Sequence, residues 1–397
     1  MFFFQKRNSS EIQNIFDVDR IEEIRGNYSR FIKKCSTTDG RFRLTPSAEP
    51  SAFARCFGLF GLNLLESDML SNYSNDQTAI AIRDDLEALR LSRLNQNVDL
   101  AFDKPYLQLL CFSLSALSVI NKLNVVQLDD HVLPLVNRDI IYDLDKCGAL
   151  LGIPSSGNLA MFFAILRLYA NEQLGVNCKL SMNNWTRLHM AAMNAIGFWE
   201  QRNTVTYSQF QNGYHQYEIF EYLGIEGNYL IAAAKAVADL CDSDGHFGPL
   251  PGGGGCYDYD AGSILLAGKR YSNSQDFDET LARLASSILL IQNNDGGFCE
   301  TKDFRPFSWR KSKKILRHVI HGPCSAMPEK LYQLASLSRP SFDKITTHWS
   351  DFSRSWDESN LWDSWFRVMI FGRIQLTLRP QLHFRWAPIN FPGIGFF

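Results

Sequence analysis

The stretch Asp244–Gly268, DGHFGPLPGGGGCYDYDAGSILLAG, runs from a tight turn through a glycine-rich loop into a helix that is apolar nearly all round. Four consecutive glycines behind two prolines make no regular element, and they let the backbone pass close to a ligand. A helix that is apolar on every side needs burial on every side. Tyr106–Leu123 and Gly157–Leu174 share this character. They alternate with amphipathic helices such as Asp76–Arg93, where Ile80, Ile82 and Leu86 oppose Arg83, Asp84, Asp85 and Glu87. The alternation predicts α-hairpins arranged in a ring, with one helix of each pair inside and one outside.

The opening turn recurs. Asp39-Gly40-Arg41-Phe42, Asp244-Gly245-His246-Phe247 and Asp295-Gly296-Gly297-Phe298 each follow an amphipathic helix and precede a loop and a buried-type helix. Glycine accepts the positive φ that ends a helix, and the Phe three residues after the Asp folds back as an apolar plug. Asp-Gly alone is a common turn, but three copies with Phe at one offset read as a weak internal repeat. Periodicity predicts helices over 11–34, 50–65, 77–93, 104–122, 135–146, 157–172, 182–201, 207–223, 227–242, 258–269, 276–292, 323–337, 342–354 and 358–376. Low complexity is confined to Gly252–Gly255 and no interdomain linker stands out, so one all-α domain over residues 1–397 is expected.

Composition agrees. The 397 residues are 45% hydrophobic and 21% charged, enough for a large core and unlike a disordered chain, a collagen-like repeat or a coiled coil. A formal net charge of −2 argues against nucleic-acid binding by phosphate neutralisation. The nine cysteines are widely spaced and odd in number, which reads as reduced thiols in a cytoplasmic protein. Met1–Arg7 has its apolar run before its charges, unlike a signal peptide. The longest apolar stretch, Leu107–Ile120, is broken by three serines and falls short of the roughly 20 apolar residues that span a bilayer.

Amphipathic helix, Asp-Gly-x-Phe, loop and buried helix together resemble the repeat of the α/α toroids, which include terpenoid cyclases and protein prenyltransferase β subunits. The resemblance implies a single toroid of six or seven helix pairs in concentric rings, with specific matches only within residues 240–335. Gly255-Cys256-Tyr257 resembles the prenyltransferase β-subunit segment whose Cys binds zinc and whose Tyr faces the substrate diphosphate. The Asp that stands two residues before the Cys in that family is Gly254 here, and His321-Gly322-Pro323-Cys324 is one residue longer than the family's His-x-Cys. The resemblance therefore implies Cys256 and His321 as metal ligands, Tyr257 as a substrate contact, zinc or magnesium as cofactor, and a helical partner subunit. Asp258 or Asp260 would have to supply the missing ligand, since catalytic zinc takes three protein ligands plus water. The alternative for Cys256 is a small inert thiol.

Asp258-Tyr259-Asp260-Ala261 resembles the Asp-x-Asp-Asp of class II terpene cyclases, whose middle Asp, here Asp260, protonates an alkene or epoxide; Ala261 replaces the last acid. The chemistry has its own logic. A carboxylic acid protonates an alkene only where neighbours stabilise its conjugate base and water is excluded. Two acids at a helix start beside an apolar cavity could share a proton and split their pKa values, and a helix N-terminus lowers thiol and carboxyl pKa values. The competing reading is an ordinary Asp N-cap.

Three further groups stand out. Gln211–Glu218 opens an inner-type helix, and His215, Tyr217 and Glu218 suit a cavity rim. His215 loosely resembles a prenyltransferase His that contacts diphosphate; a residue merely satisfied at a helix start is the alternative. The basic run Arg305–Arg317, with Arg310 and Lys314, suits an anion such as a diphosphate or a solvated face. Trp362-Asp363-Ser364-Trp365-Phe366-Arg367 resembles the last inner helix of cyclase toroids. Trp365, and Trp386, Phe391, Phe396 and Phe397 in the tail, could wall a carbocation or simply form core.

Three classes of function follow. The first is an isoprenoid-processing enzyme that starts cyclisation from Asp260 with Asp258. The second is a carbohydrate-active (α/α)-barrel enzyme, a glycosidase, lyase or epimerase, using Glu218, His215, Tyr217 and Asp260. The third is a non-catalytic binding component. A cyclase needs a closed apolar cavity, a glycan enzyme needs an open groove with two spaced carboxylates, and a binding module would have its acids tied up in caps.

Overall fold

Fifteen α-helices organise the described part of the chain: α1 Val18–Cys35, α2 Ala52–Leu64, α3 Asp76–Asn95, α4 Lys104–Val119, α5 Asp129–Val136, α6 Ile140–Cys147, α7 Ser156–Gln173, α8 Lys179–Ala192, α9 Tyr207–Tyr222, α10 Tyr229–Ala238, α11 Gly255–Tyr271, α12 Gln275–Ile291, α13 Trp309–Ile320, α14 Met327–Leu337 and α15 Leu361–Leu378. A short antiparallel pair, β1 Ile345–Thr347 and β2 Ser350–Arg354, precedes α15. The structure is a computed structural model that describes residues 15–200, 205–272, 275–302, 309–337, 345–347 and 350–396.

Three sequence expectations change. The helix expected over 135–146 is two helices, broken where the Asp139 side chain accepts the Ile141 N–H and starts α6. Within the segment expected as a helix over 342–354 lies the hairpin, where Ile345, Thr346 and Thr347 are β-branched and favour a pleated surface. Part of the basic run, read from sequence as an anion site or solvated face, forms the amphipathic α13.

The repeated turn takes one geometry in every copy. Gly40, Gly245 and Gly296 have φ of 77°, 83° and 97°. In each copy the glycine N–H donates to the carbonyl three residues back (Thr37, Asp242, Asn293), and that same residue's N–H donates to the carbonyl of the residue after the glycine. Phe42, Phe247 and Phe298 are all fully buried, as the plug reading requires. A fourth copy follows α8. Gly197 N–H donates to Asn194, Asn194 N–H donates to Phe198, and Trp199 takes the plug position at 2% exposure. Ile196 and Trp199 in place of Asp and Phe hid it from the motif. At Gly296 a Cβ would lie 2.1 Å from the Asn27 carbonyl oxygen. Gly296→Ala is therefore expected to lower stability by about 1–3 kcal/mol, read as an earlier chemical-denaturation midpoint with unchanged helical content.

Six helices are buried along almost their whole length: α2, α4, α7, α9, α11 and α15. Their contacts close a circuit. α2 packs on α4, α4 on α7, α7 on α9, α9 on α11, α11 on α15, and α15 back on α2. The helices with an exposed face pack against these: α1 on α2 and α15, α3 on α4, α5 and α6 on α7, α8 on α7, α10 on α11, and α12 on α11 and α15. One apolar core runs through all of them from Ile15 to Ile394. Among the described residues no helix is long and apolar enough to cross a membrane.

The two ends of the segment from Phe298 to Asn360 meet, where Asn360 N–H donates to Phe298 O, and Phe298 N–H donates to Ser364 Oγ. Its α14 docks on the start of α9. Glu329 accepts the N–H groups of Tyr207 and Ser208, and the fully buried Lys330 ammonium donates to Asp242 and to His318 O. Burial lifts the Asp242 carboxyl to about 7.

Candidate functional site

Asp258 and Asp260 sit two residues apart in the first turns of α11, where such positions do not face each other. Asp258 turns back to its own loop. Phe247 N–H donates to its Oδ1 at 3.0 Å, and His246 Nδ1 lies 2.9 Å from its Oδ2. Arg367 Nη1 on α15 is 3.2 Å from Oδ2, with both side chains fully buried. Asp258 thus fastens turn, loop and α15 together, with both of its oxygens engaged. The glycine run serves the same assembly. A Cβ on Gly253 would stand 2.6 Å from Phe247 O and 2.8 Å from Asp258 Oδ1, and one on Gly255 would stand 2.8 Å from Asp363 Cα. These glycines allow chain to pack on chain.

Asp260 faces the other way. It is 2% exposed, and its Oδ2 has no hydrogen-bond partner. Burial, and then the charge of Glu218 on α9, push its carboxyl well above the usual range. Glu218 is buried too, with Oε1 unpartnered and its carboxyl likewise pushed well up by burial. The nearby hydroxyls of Tyr214 and Tyr259 and the charge of Arg373 oppose that rise, and Tyr214 donates to Tyr259 at 2.9 Å. His215 Nδ1 lies 3.4 Å from Glu218 Oε2, and its Nε2 is unpartnered. Burial, and then the Lys104 ammonium, hold His215 down at about 3. Lys104, on the first turn of α4, is itself lowered by burial, and its charge interacts with Cys256.

Lys104, His215, Glu218, Cys256 and Asp260, from three helices of the circuit, thus act on one another through their charges, with His215 and Glu218 in contact. Two carboxyls with raised pKa values share this spot with three unpartnered polar atoms. The sequence reading expected a helix N-terminus to lower the thiol and carboxyl pKa values. The reverse holds at Cys256 and Asp260, because loss of water outweighs the helix dipole.

The other expected residues divide. Tyr257 packs edge-on to Phe210 with centroids 6.2 Å apart, next to the site. Tyr217 points away from it, its hydroxyl donating to Gly197 O and its ring stacked on Tyr229. Trp365 is core, packed on Phe60 at 5.0 Å and Phe366 at 4.9 Å. Arg310 and Lys314 fall on α13, and their side chains lie outside the described residues. His321 is exposed beyond the end of α13, while Cys256 is half-buried in the site and its thiol is raised by burial and by Asp260. Among the described residues no three His, Cys, Asp or Glu side chains are placed to hold a metal ion. Sequence reading did not single out Lys104 or Tyr259, while Tyr214 lies within the Gln211–Glu218 run it did single out. Tyr259 carried a signal in lying between the two acids.

His215 supplies a pH prediction. Its folded pKa is depressed below that of the unfolded chain, so it adds stability that is present above about pH 6.5 and is lost as pH falls toward about 3. His189, held at about 4 by burial, acts in the same direction. His215→Asn is expected to flatten the acid limb of a stability-versus-pH curve over that window.

Comparison of the chain with protein-family models, with curated protein sequences and with solved structures returns no match.

Proposed function

We propose that this chain is an α/α toroid of six helix pairs that processes an isoprenoid by proton transfer from Asp260, with Glu218 as its partner carboxyl. The pairs would be α1/α2, α3/α4, α5–α6/α7, α8/α9, α10/α11 and α12/α15, the second member of each lying inside. The closed circuit of contacts among those second members supports the ring.

One observation carries the chemistry: Asp260 Oδ2 is buried without a partner beside a second raised carboxyl, while Asp258 two residues away is fully engaged. A binding module would have consumed both acids in structural bonds. A buried carboxylic acid retains its proton at neutral pH and can deliver it where water is excluded. When Asp260 gives up its proton, neutral Glu218 adds no second negative charge beside the carboxylate that remains, and a proton lost by the cyclised cation back to Asp260 restores the acid. Both carboxyls come from one chain, so no partner subunit is needed to complete the pair.

The substrate class follows from the same surroundings. Neutral His215 and two protonated acids suit an uncharged alkene or epoxide end better than a diphosphate. An aromatic wall adjoins them, with Tyr259 5.1 Å from Phe366 and Phe366 4.9 Å from Trp362. A glycan, which brings many hydroxyls and its own water, fits this dry spot poorly. The test is incubation with linear isoprenoid alcohols, epoxides and diphosphates in parallel. Cyclised product from the uncharged substrates supports the reading. Turnover of oligosaccharides, or of diphosphates alone, refutes it.

A further inference from the structure

After α15 the chain turns back at Pro380–Leu382 and runs across the end of α2, where Ala387 N–H donates to Leu64 O and Asn63 Nδ2 donates to the Ala387 and Pro388 carbonyls. Beyond Pro388 it packs against α7, α9 and α15. Phe391 meets Tyr169 of α7 at 6.3 Å between ring centroids, and Phe396 meets Tyr222 of α9 at 5.0 Å. Gly393 lies against Ile165 of α7 and Gly395 against Trp365 of α15. Ile389, Phe391 and Ile394 are 2–5% exposed.

Two properties distinguish this segment from ordinary core. It is closed on itself, with Ile389 N–H donating to Gly395 O and Phe396 N–H donating to Gly393 O. Its contacts with the helices are almost wholly apolar and non-directional, while the polar bonds that anchor the tail stop at Pro388. Where the segment does make a polar bond to the wall, Gly395 N–H donates to the Tyr259 hydroxyl at 3.4 Å. That hydroxyl is one of the two that act on Glu218.

We propose that residues 389–396 are a resident occupant of a binding chamber, and that an uncharged linear apolar chain takes their place when the segment withdraws about Ala387–Pro388. This rests on the reading of Asp260 and Glu218 as the reactive groups only for what happens next to the bound ligand; the exchange of occupants stands on the packing. The segment fills apolar volume that a hydrocarbon chain fills equally well. Its deepest backbone group reaches the tyrosine beside the acid pair, so a ligand lying there would present one end to Glu218 and Asp260. An occupied chamber also keeps water from the two acids between turnovers.

The experiment uses the full chain, a chain ending at Pro388, and Gly395→Ala. Gly395 has φ 93°, and a Cβ there would stand 2.8 Å from Ile389 Cδ1 and 3.0 Å from Trp365 Cζ2, so the alanine disfavours the seated loop without removing it. Farnesol is the probe, titrated by calorimetry. Both variants are expected to bind it at least tenfold more tightly than the full chain, because the tail no longer reduces the competent fraction. A synthetic peptide of residues 389–397 should compete with it. Equal affinity in a variant that keeps its helical signal and cooperative melting overturns the proposal. Should truncation unfold the protein, Gly395→Ala and hydrogen exchange decide. Amides of 389–396 that exchange well before those of α11 and α15 support withdrawal, and exchange only through global unfolding overturns it. The two readings have separate readouts: exchange of occupants is read from farnesol affinity in chains that keep Asp260, and the acid from turnover in Asp260→Asn, so either can fail without the other.

Discussion

Asp258→Ala is expected to destabilise the protein by about 3–5 kcal/mol, the cost of stripping one partner from a buried charge pair. The Arg367 guanidinium would be left fully buried without its carboxylate. The turn at Phe247 and the side chain of His246 would lose their acceptor as well. The Asp242-to-Gly255 loop should then loosen, and with it the start of α11. Asp260→Asn makes the contrast. Its carboxyl has a raised folded pKa, so the stability it contributes is complete below the unfolded value of about 3.9 and is lost as pH climbs through the folded value. Asparagine removes that loss. The melting temperature of Asp260→Asn should match or exceed that of the wild type at neutral and alkaline pH. Thermal melts of both variants at neutral pH check the pair. Similar large losses in the two would mean that Asp260 also is a structural fastener.

The second large effect concerns turnover. Asp260→Asn keeps shape and removes the proton, so the rate on an isoprenoid alkene or epoxide should fall about 10²–10⁴-fold, the usual contribution of a positioned acid. Glu218→Gln should act in the same direction by removing the carboxyl whose charge raises that of Asp260. The double variant should lose little more than Asp260→Asn alone, since groups acting as a unit are not additive. Tyr259→Phe should cost less and shift the pH profile, because it removes a hydroxyl that opposes the rise of the Glu218 carboxyl. Unchanged turnover in Asp260→Asn would transfer the chemistry elsewhere.

Much of the architecture was legible in the residues themselves. Helices apolar on every side, such as Lys104–Val119 and Ser156–Gln173, are the ones the fold buries. The Asp-Gly-x-Phe turns reappear with one hydrogen-bond pattern because glycine geometry and an apolar plug are local properties. The pairing of acids was not legible. Asp258 and Asp260 look like a unit in the sequence, yet helical geometry sends them apart, and the carboxyl whose charge acts on Asp260, that of Glu218, comes from α9, more than forty residues away in sequence. Lys104, on α4, acts on His215 of α9 and Cys256 of α11, which lie more than a hundred residues away in sequence. The tail was visible as a run of Phe, Pro and Gly, but its place among Ile165, Tyr169, Tyr222 and Trp365 depends on the completed ring of contacts.

Carboxyl titration by ¹³C NMR, with Asp260→Asn and Glu218→Gln assigning the two signals, is the most direct measurement. Two buried carboxyls, both raised by loss of water and coupled through the charge that acts between them, predict that both stay protonated through neutral pH and that removing either one lowers the apparent pKa of the other. If both carboxyls are ionised by pH 5, the site has no proton to give at physiological pH, and the acid-pair mechanism is wrong.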